Sequence, residues 1–126
     1  ETVMEVVDQF PGIVVLYIFG SRASGRETSV SDLDVAVFVE ESVVQQDPLL
    51  DLRIASYLES RARMHTDVVI MNRANPVLQH QVLRTGVRLY EAYPECRAKL
   101  ELIAFKRYLD HRHYQQKRAK VNTNGE

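Results

Sequence analysis

The sequence predicts an α/β domain, and three observations carry that prediction. Ile13–Phe19 is a β-branched and aromatic run of strand length, Asp32–Val39 alternates with a period of two, and stretches of helical period separate the later strands. The element order reads as αβ(loop)βαβαβα.

Val3, Val6 and Val7 give a short helical period up to Phe10, and Pro11-Gly12 stops it. Ile13–Phe19 follows as a buried strand between glycines. Residues 21–31 are small and polar and predict a loop. In the second strand, Asp32–Val39, alternation sets Val35, Val37 and Val39 on one face. Asp32, Asp34, Ala36 and Phe38 take the other face, which is expected to look into a cleft rather than a core.

Asp47-Pro48 predicts a helix start, Asp as N-cap and Pro at the first position, with Leu50, Ile54, Leu58 and Ala62 along one stripe. Thr66–Met71 is a third strand. Asn75-Pro76 opens a helix that ends near Gly86, and Val87–Tyr90 is a short edge strand. After Pro94 a long polar helix is expected to run to about Ala119.

At 126 residues, 45% hydrophobic and 26% charged, the chain has the composition of one globular domain, taken here as residues 1–126. The single cysteine, Cys96, excludes an intrachain disulfide and is read as a half-buried, inert thiol in a reducing compartment. Neither a signal peptide nor an apolar run near the roughly 20 residues of a membrane span is visible, so a cytoplasmic protein without membrane association is expected. The net charge of −1 conceals an asymmetry. Residues 1–60 hold 11 Asp/Glu against Arg22, Arg26 and Arg53, whereas residues 97–120 hold eight Lys/Arg against Glu101 and Asp110. Such a chain can gather cations at one place and polyanions at another.

The acidic pair comes first in the chemistry. Two residues apart on a strand, Asp32 and Asp34 point the same way. Carboxylates about 4 Å apart repel by about 4 kcal/mol at an effective dielectric of 20. A divalent cation removes that repulsion, and oxygen donors with room for water and phosphate suit Mg²⁺. Alone, an Asp-x-Asp is equally a strand entrance. Gly20-Ser21, at the end of the first strand, lets backbone N–H groups and a hydroxyl approach phosphate oxygens, with Arg22 and Arg26 alongside. That pair alone is equally a turn. Their joint occurrence as Gly-Ser-x10-Asp-x-Asp has a chance frequency of roughly one in several hundred for a chain this long. If the third strand neighbours the second, Asp67 completes a triad with Asp32 and Asp34.

The four histidines, His65, His80, His111 and His113, show no metal-ligand spacing, and His111 and His113 are read as surface residues. Tyr108 and Tyr114, among Lys106, Arg107, Arg112 and Lys117, are read as packing beside solvated charge.

Gly20-Ser21-x10-Asp32-x-Asp34, with Asp67 on a later strand, resembles the DNA polymerase β-like nucleotidyltransferase superfamily. Within it, the chain is most similar to minimal MNT-type antitoxins paired with HEPN-domain toxins. The resemblance covers about residues 13–90, including Asn72-Arg73-Ala74-Asn75-Pro76. It implies the polymerase β-like fold: a mixed sheet flanked by helices, with a long C-terminal helix. It also implies transfer of AMP from ATP to a tyrosine hydroxyl of a partner HEPN ribonuclease. Asp32, Asp34 and Asp67 would then hold two Mg²⁺ ions, Asp67 would help orient or deprotonate the acceptor, and Gly20, Ser21 and Arg22 would cradle the β- and γ-phosphates. Residues 91–126 follow the last predicted strand, room for one long helix. The acceptor is therefore expected to be held largely by its own surface or by the partner protein, which favours a protein acceptor. Two alternatives stay open: transfer to an RNA end, such as a tRNA 3′ end, and a binding-only antitoxin.

Overall fold

The computed structural model describes residues 2–20, 25 and 32–124, with side chains described to residue 119. Helix α1 (Thr2–Gln9) leads into β1 (Ile13–Phe19), and β2 (Leu33–Val39) follows. Then come α2 (Glu41–Gln46), α3 (Leu50–Ala62), β3 (Thr66–Ile70), a 3-10 turn (Met71–Arg73), α4 (Pro76–Thr85), β4 (Val87–Glu91) and α5 (Pro94–Asn124). The sheet order is β3-β2-β1-β4, with β2 and β3 parallel and the other pairs antiparallel. The sheet is mixed, as expected. The β2-to-β3 connection contains α2 and α3, the helical crossover that a parallel pair requires.

Each face of the sheet carries its own core. Leu16, Val35, Val37 and Val39 pack with α1, α2 and α3 through Val6, Val44, Leu50, Ile54 and Leu58. Val14, Val15, Tyr17, Ala36 and Phe38 pack on the other side with Met71, Val82, Leu78, Leu83 and Leu100. A register shift between Ile13 and Val15 explains how adjacent Val14 and Val15 both serve this second core. The expectation that the aspartate-bearing face looks into a cleft therefore needs correction. Ala36 and Phe38 on that face are buried under α4 and α5, and only its first residues, Asp32 and Asp34, stay open.

Asp47 also differs from its expected role. The N-cap of α3 is Leu49, and Asp47 is instead the C-cap of α2, its carboxylate accepting the Leu49 N–H at 3.2 Å. Asn75 is the N-cap foreseen for α4: its Oδ1 accepts the Leu78 N–H at 2.9 Å, with Pro76 at the first position. Asn75→Ala is expected to lower stability by about 1 kcal/mol, measured as a reduced urea midpoint at unchanged m-value.

Helix α5 crosses the second core and is tied to it by polar contacts. The Tyr17 hydroxyl donates to Glu101 Oε2 at 2.7 Å, and Arg97 donates to Glu91 and to Glu101 Oε1 at 2.9 and 3.1 Å. Burial, with the adjacent Glu101 carboxylate, holds the Tyr17 phenol above its ordinary range, so it stays a donor. The helix runs past the expected Ala119 to Asn124. Cys96 is exposed at its start rather than half-buried, because residues 93–96, which lead into and begin α5, all face solvent.

Candidate active site

Strand register brings the chemistry together. Phe19 on β1 lies opposite Asp34 on β2, and Asp34 lies beside Asp67 on β3. Leu33 pairs with Thr66, so the same register carried one residue back sets Asp32 beside His65. The Leu33 N–H donates to the His65 carbonyl at 2.9 Å, which fixes that alignment. Because side chains alternate along a strand, Asp32, Asp34, His65 and Asp67 leave the sheet on one side. The predicted adjacency of the second and third strands is thus observed.

Gly20 follows β1 with φ +79°, in the left-handed region that favours glycine. A Cβ there would run into the Asp34 carboxylate, far inside contact distance. Glycine at this position lets the chain turn and lets Asp34 lie against its backbone. Ser21, Arg22 and Arg26 lie outside the described residues.

Ligand atoms of Asp32, His65 and Asp67 all lie within 4.8 Å of one another. His65 Nε2 sits 3.2 Å from Asp67 Oδ1, and His65 Nδ1 sits 3.0 Å from Glu59 Oε2. Glu59 Oε2 also accepts the Thr66 N–H at 3.0 Å, joining the last turn of α3 to the start of β3. The turn between them is set by Arg63, whose φ of 57° ends the helix. A groove of about 280 Å³ opens next to Asp67 and His65, bounded on the α3 side by Asp51, Ser56 and Glu59.

The field at the site is strongly negative. Partial burial, then the charges of Asp67 and Asp32, hold the Asp34 carboxyl above its ordinary pKa of 3.8, with His65 opposing. His65 is held above 6.5, first by Asp67 and then by Asp32, with Glu59 adding and desolvation opposing. Carboxylates gathered at such electrostatic disadvantage, with an imidazole beside them, form a donor set that fits a divalent cation.

His65 is the residue that composition and spacing did not reveal. Its signal lies in the pairing of two strands: His65-x-Asp67 repeats the spacing of Asp32-x-Asp34 on the neighbouring strand. The packing reading holds for Tyr108 but not for Tyr114, which is exposed near the end of α5. Tyr108 stacks on His80 with ring centroids 3.6 Å apart, and Arg107 donates to Gln79 at 2.9 Å.

Comparison with known proteins agrees with this geometry. The family model for polymerase beta nucleotidyltransferases matches residues 1–95. A protein adenylyltransferase MntA of Aphanizomenon flos-aquae is 31% identical over 98 residues, 72% of this chain and 65% of that protein. The chain thus spans just under two thirds of that relative. The protein adenylyltransferase MntA of Shewanella oneidensis is 28% identical over 114 residues, 90% of this chain and 77% of that protein. A crystal structure of a toxin–antitoxin with AMP-PNP contains a chain that superposes with a TM-score of 0.75 at 26% identity, covering 97% of this chain and 94% of that one. Motif, sheet order and the family match lead to one conclusion: this chain belongs to the polymerase β-type nucleotidyltransferase family.

Proposed function

We propose that residues 1–126 form a single minimal nucleotidyltransferase domain, an antitoxin that transfers AMP from ATP to a tyrosine hydroxyl of a partner HEPN ribonuclease toxin and so neutralises it. The observation that carries this reading is the in-register placement of Asp34 beside Asp67, with Gly20 packed against the Asp34 carboxylate. The names of the two MntA relatives support adenylyl transfer to protein, and the AMP-PNP complex supports ATP as donor. The cytoplasm, where ATP is available, is the proposed setting. Among the described residues no helix is long and apolar enough to cross a membrane.

Asp32, Asp34 and Asp67 would hold two Mg²⁺ ions, which neutralise phosphate charge and lower the pKa of a coordinated hydroxyl. The chain's own groups do the positioning. Gly20, Ser21 and Arg22 would cradle the β- and γ-phosphates. Asp67, at the open sheet edge, orients the acceptor hydroxyl and receives its proton. The acceptor oxygen forms a bond to the α-phosphorus as the bond to the bridging oxygen of the β-phosphate breaks, and pyrophosphate leaves. Most of the acceleration comes from alignment and charge stabilisation.

A protein acceptor suits the exposed side of α5, where Leu102, Phe105 and Leu109 lie at helical spacing between Lys99, Lys106 and Arg112. The same cations favour RNA as the second reading. That reading is weaker because part of the helix's positive charge is offset: Arg97 is paired with Glu91 and Glu101. Incubation with Mg²⁺, α-labelled ATP and either the toxin or tRNA separates these readings. Label on a toxin tyrosine is expected. Label on RNA alone would establish the second reading, and tight toxin binding without any transfer would leave only a binding antitoxin.

A further inference from the structure

His65 lies in the acidic cluster without belonging to the sequence motif that defines it. Its two ring nitrogens face different partners. Nδ1 meets Glu59 Oε2 at 3.0 Å, and Nε2 faces Asp67 Oδ1 at 3.2 Å, within 4.8 Å of a ligand atom of Asp32. Histidine ligands of metals characteristically donate their second ring N–H to a carboxylate, which fixes the tautomer and aims the other lone pair. Glu59 is placed for that task, and its own position is fixed because the same oxygen accepts the Thr66 N–H. The His65 backbone is held as well, by the Leu33 N–H on its carbonyl.

We propose that His65 is a metal ligand alongside Asp32 and Asp67, supported by Glu59, and that the centre therefore favours Mn²⁺ over Mg²⁺. This rests on the metal-dependent reading given under Proposed function. Mg²⁺ dehydrates reluctantly and keeps oxygen donors, whereas Mn²⁺, equally at home among carboxylates, also accepts an imidazole nitrogen. A histidine in the donor set therefore shifts the balance between the two toward Mn²⁺.

The test is Mn²⁺ binding to the metal-free protein, followed by electron paramagnetic resonance, for the unaltered chain and for His65→Asn, Glu59→Gln and Asp32→Asn. His65 is 61% exposed, so its substitution leaves the fold intact. Pulsed measurements are expected to show a directly coordinated nitrogen in the unaltered chain and none in His65→Asn. Mn²⁺ affinity is expected to fall at least about tenfold in His65→Asn and by roughly tenfold in Glu59→Gln. Mg²⁺ affinity, read by competition, should change by less than about threefold in His65→Asn. A nitrogen signal that persists in His65→Asn, its absence from the unaltered chain, or equal Mn²⁺ affinity in both would overturn the proposal. In those cases loss of Mn²⁺ binding in Asp32→Asn leaves the carboxylate metal site standing. Retention of Mn²⁺ binding in Asp32→Asn would instead count against the metal reading itself.

Discussion

Asp34→Asn is expected to reduce adenylyl transfer by about a thousandfold while leaving the protein folded, and slightly more stable without metal. The rate effect follows from what the carboxylate does. Losing one charged donor at a phosphoryl-transfer centre removes several kcal/mol of transition-state stabilisation, and about 4 kcal/mol corresponds to roughly a thousandfold. The stability effect has the opposite sign. Burial and the charges of Asp67 and Asp32 raise the Asp34 pKa above 3.8 in the fold. The folded chain therefore binds this proton more readily than the unfolded chain. The contribution of Asp34 to stability consequently falls as pH rises from 3.8 through the raised value, and at neutral pH it opposes folding. An uncharged isostere removes that opposition. Thermal melts with and without divalent cation should show a metal-dependent rise in Tm for the unaltered chain and a much smaller one for Asp34→Asn. A variant with less than a tenfold loss of transfer would contradict the assignment of Asp34.

Gly20→Ala is expected to lower transfer by about a hundredfold with only a modest loss of stability. Two separable effects act here. Alanine at φ +79° sits in the left-handed region, which costs roughly 1–2 kcal/mol for a residue with a Cβ. The new methyl also occupies the space of the Asp34 carboxylate, whose Cγ and Cβ would lie only 3.3 and 3.5 Å away. Asp34 must turn aside, and a displacement near 1 Å at a reacting centre can reduce the rate about a hundredfold. Urea unfolding and steady-state transfer measured on the same preparation separate the two. A loss of activity no larger than the fraction of unfolded protein explains would mean that Gly20 serves the turn alone.

Local chemistry made much of the fold legible. Ile13–Phe19 is β-branched between glycines and forms β1 with the expected bounds, and Asn75-Pro76 caps α4 through its own side chain. Helix α2 was not legible, and the reason is physical. Its six residues, ESVVQQ, include two β-branched valines, and no side chain caps its start. It is held from a distance: Arg73 donates to the carbonyls of Val44 and Asp47 at 2.8 and 2.7 Å, and Val44 packs into the core. Asn72 likewise completes the end of β2, accepting the Val39 N–H at 3.0 Å and donating to its carbonyl at 2.7 Å. Contacts across 26 to 33 positions leave no periodic trace.

The candidate site divides along the same line. Asp32 and Asp34 share a strand, so their common direction follows from spacing, and Gly20 follows from the end of the strand before them. Asp67 depended on strand adjacency, which spacing leaves open. His65 required the register itself, because only the pairing of Leu33 with Thr66 sets it beside Asp32.

The central claim is that this acidic cluster transfers AMP to a partner protein. Its most direct test is intact-mass spectrometry of the proposed partner, a HEPN toxin, after co-expression with either the unaltered chain or Asp34→Asn. The account predicts toxin carrying whole AMP increments on tyrosine with the unaltered chain, and unmodified, active toxin with Asp34→Asn. Toxin that stays unmodified yet is silenced equally by both chains would contradict it.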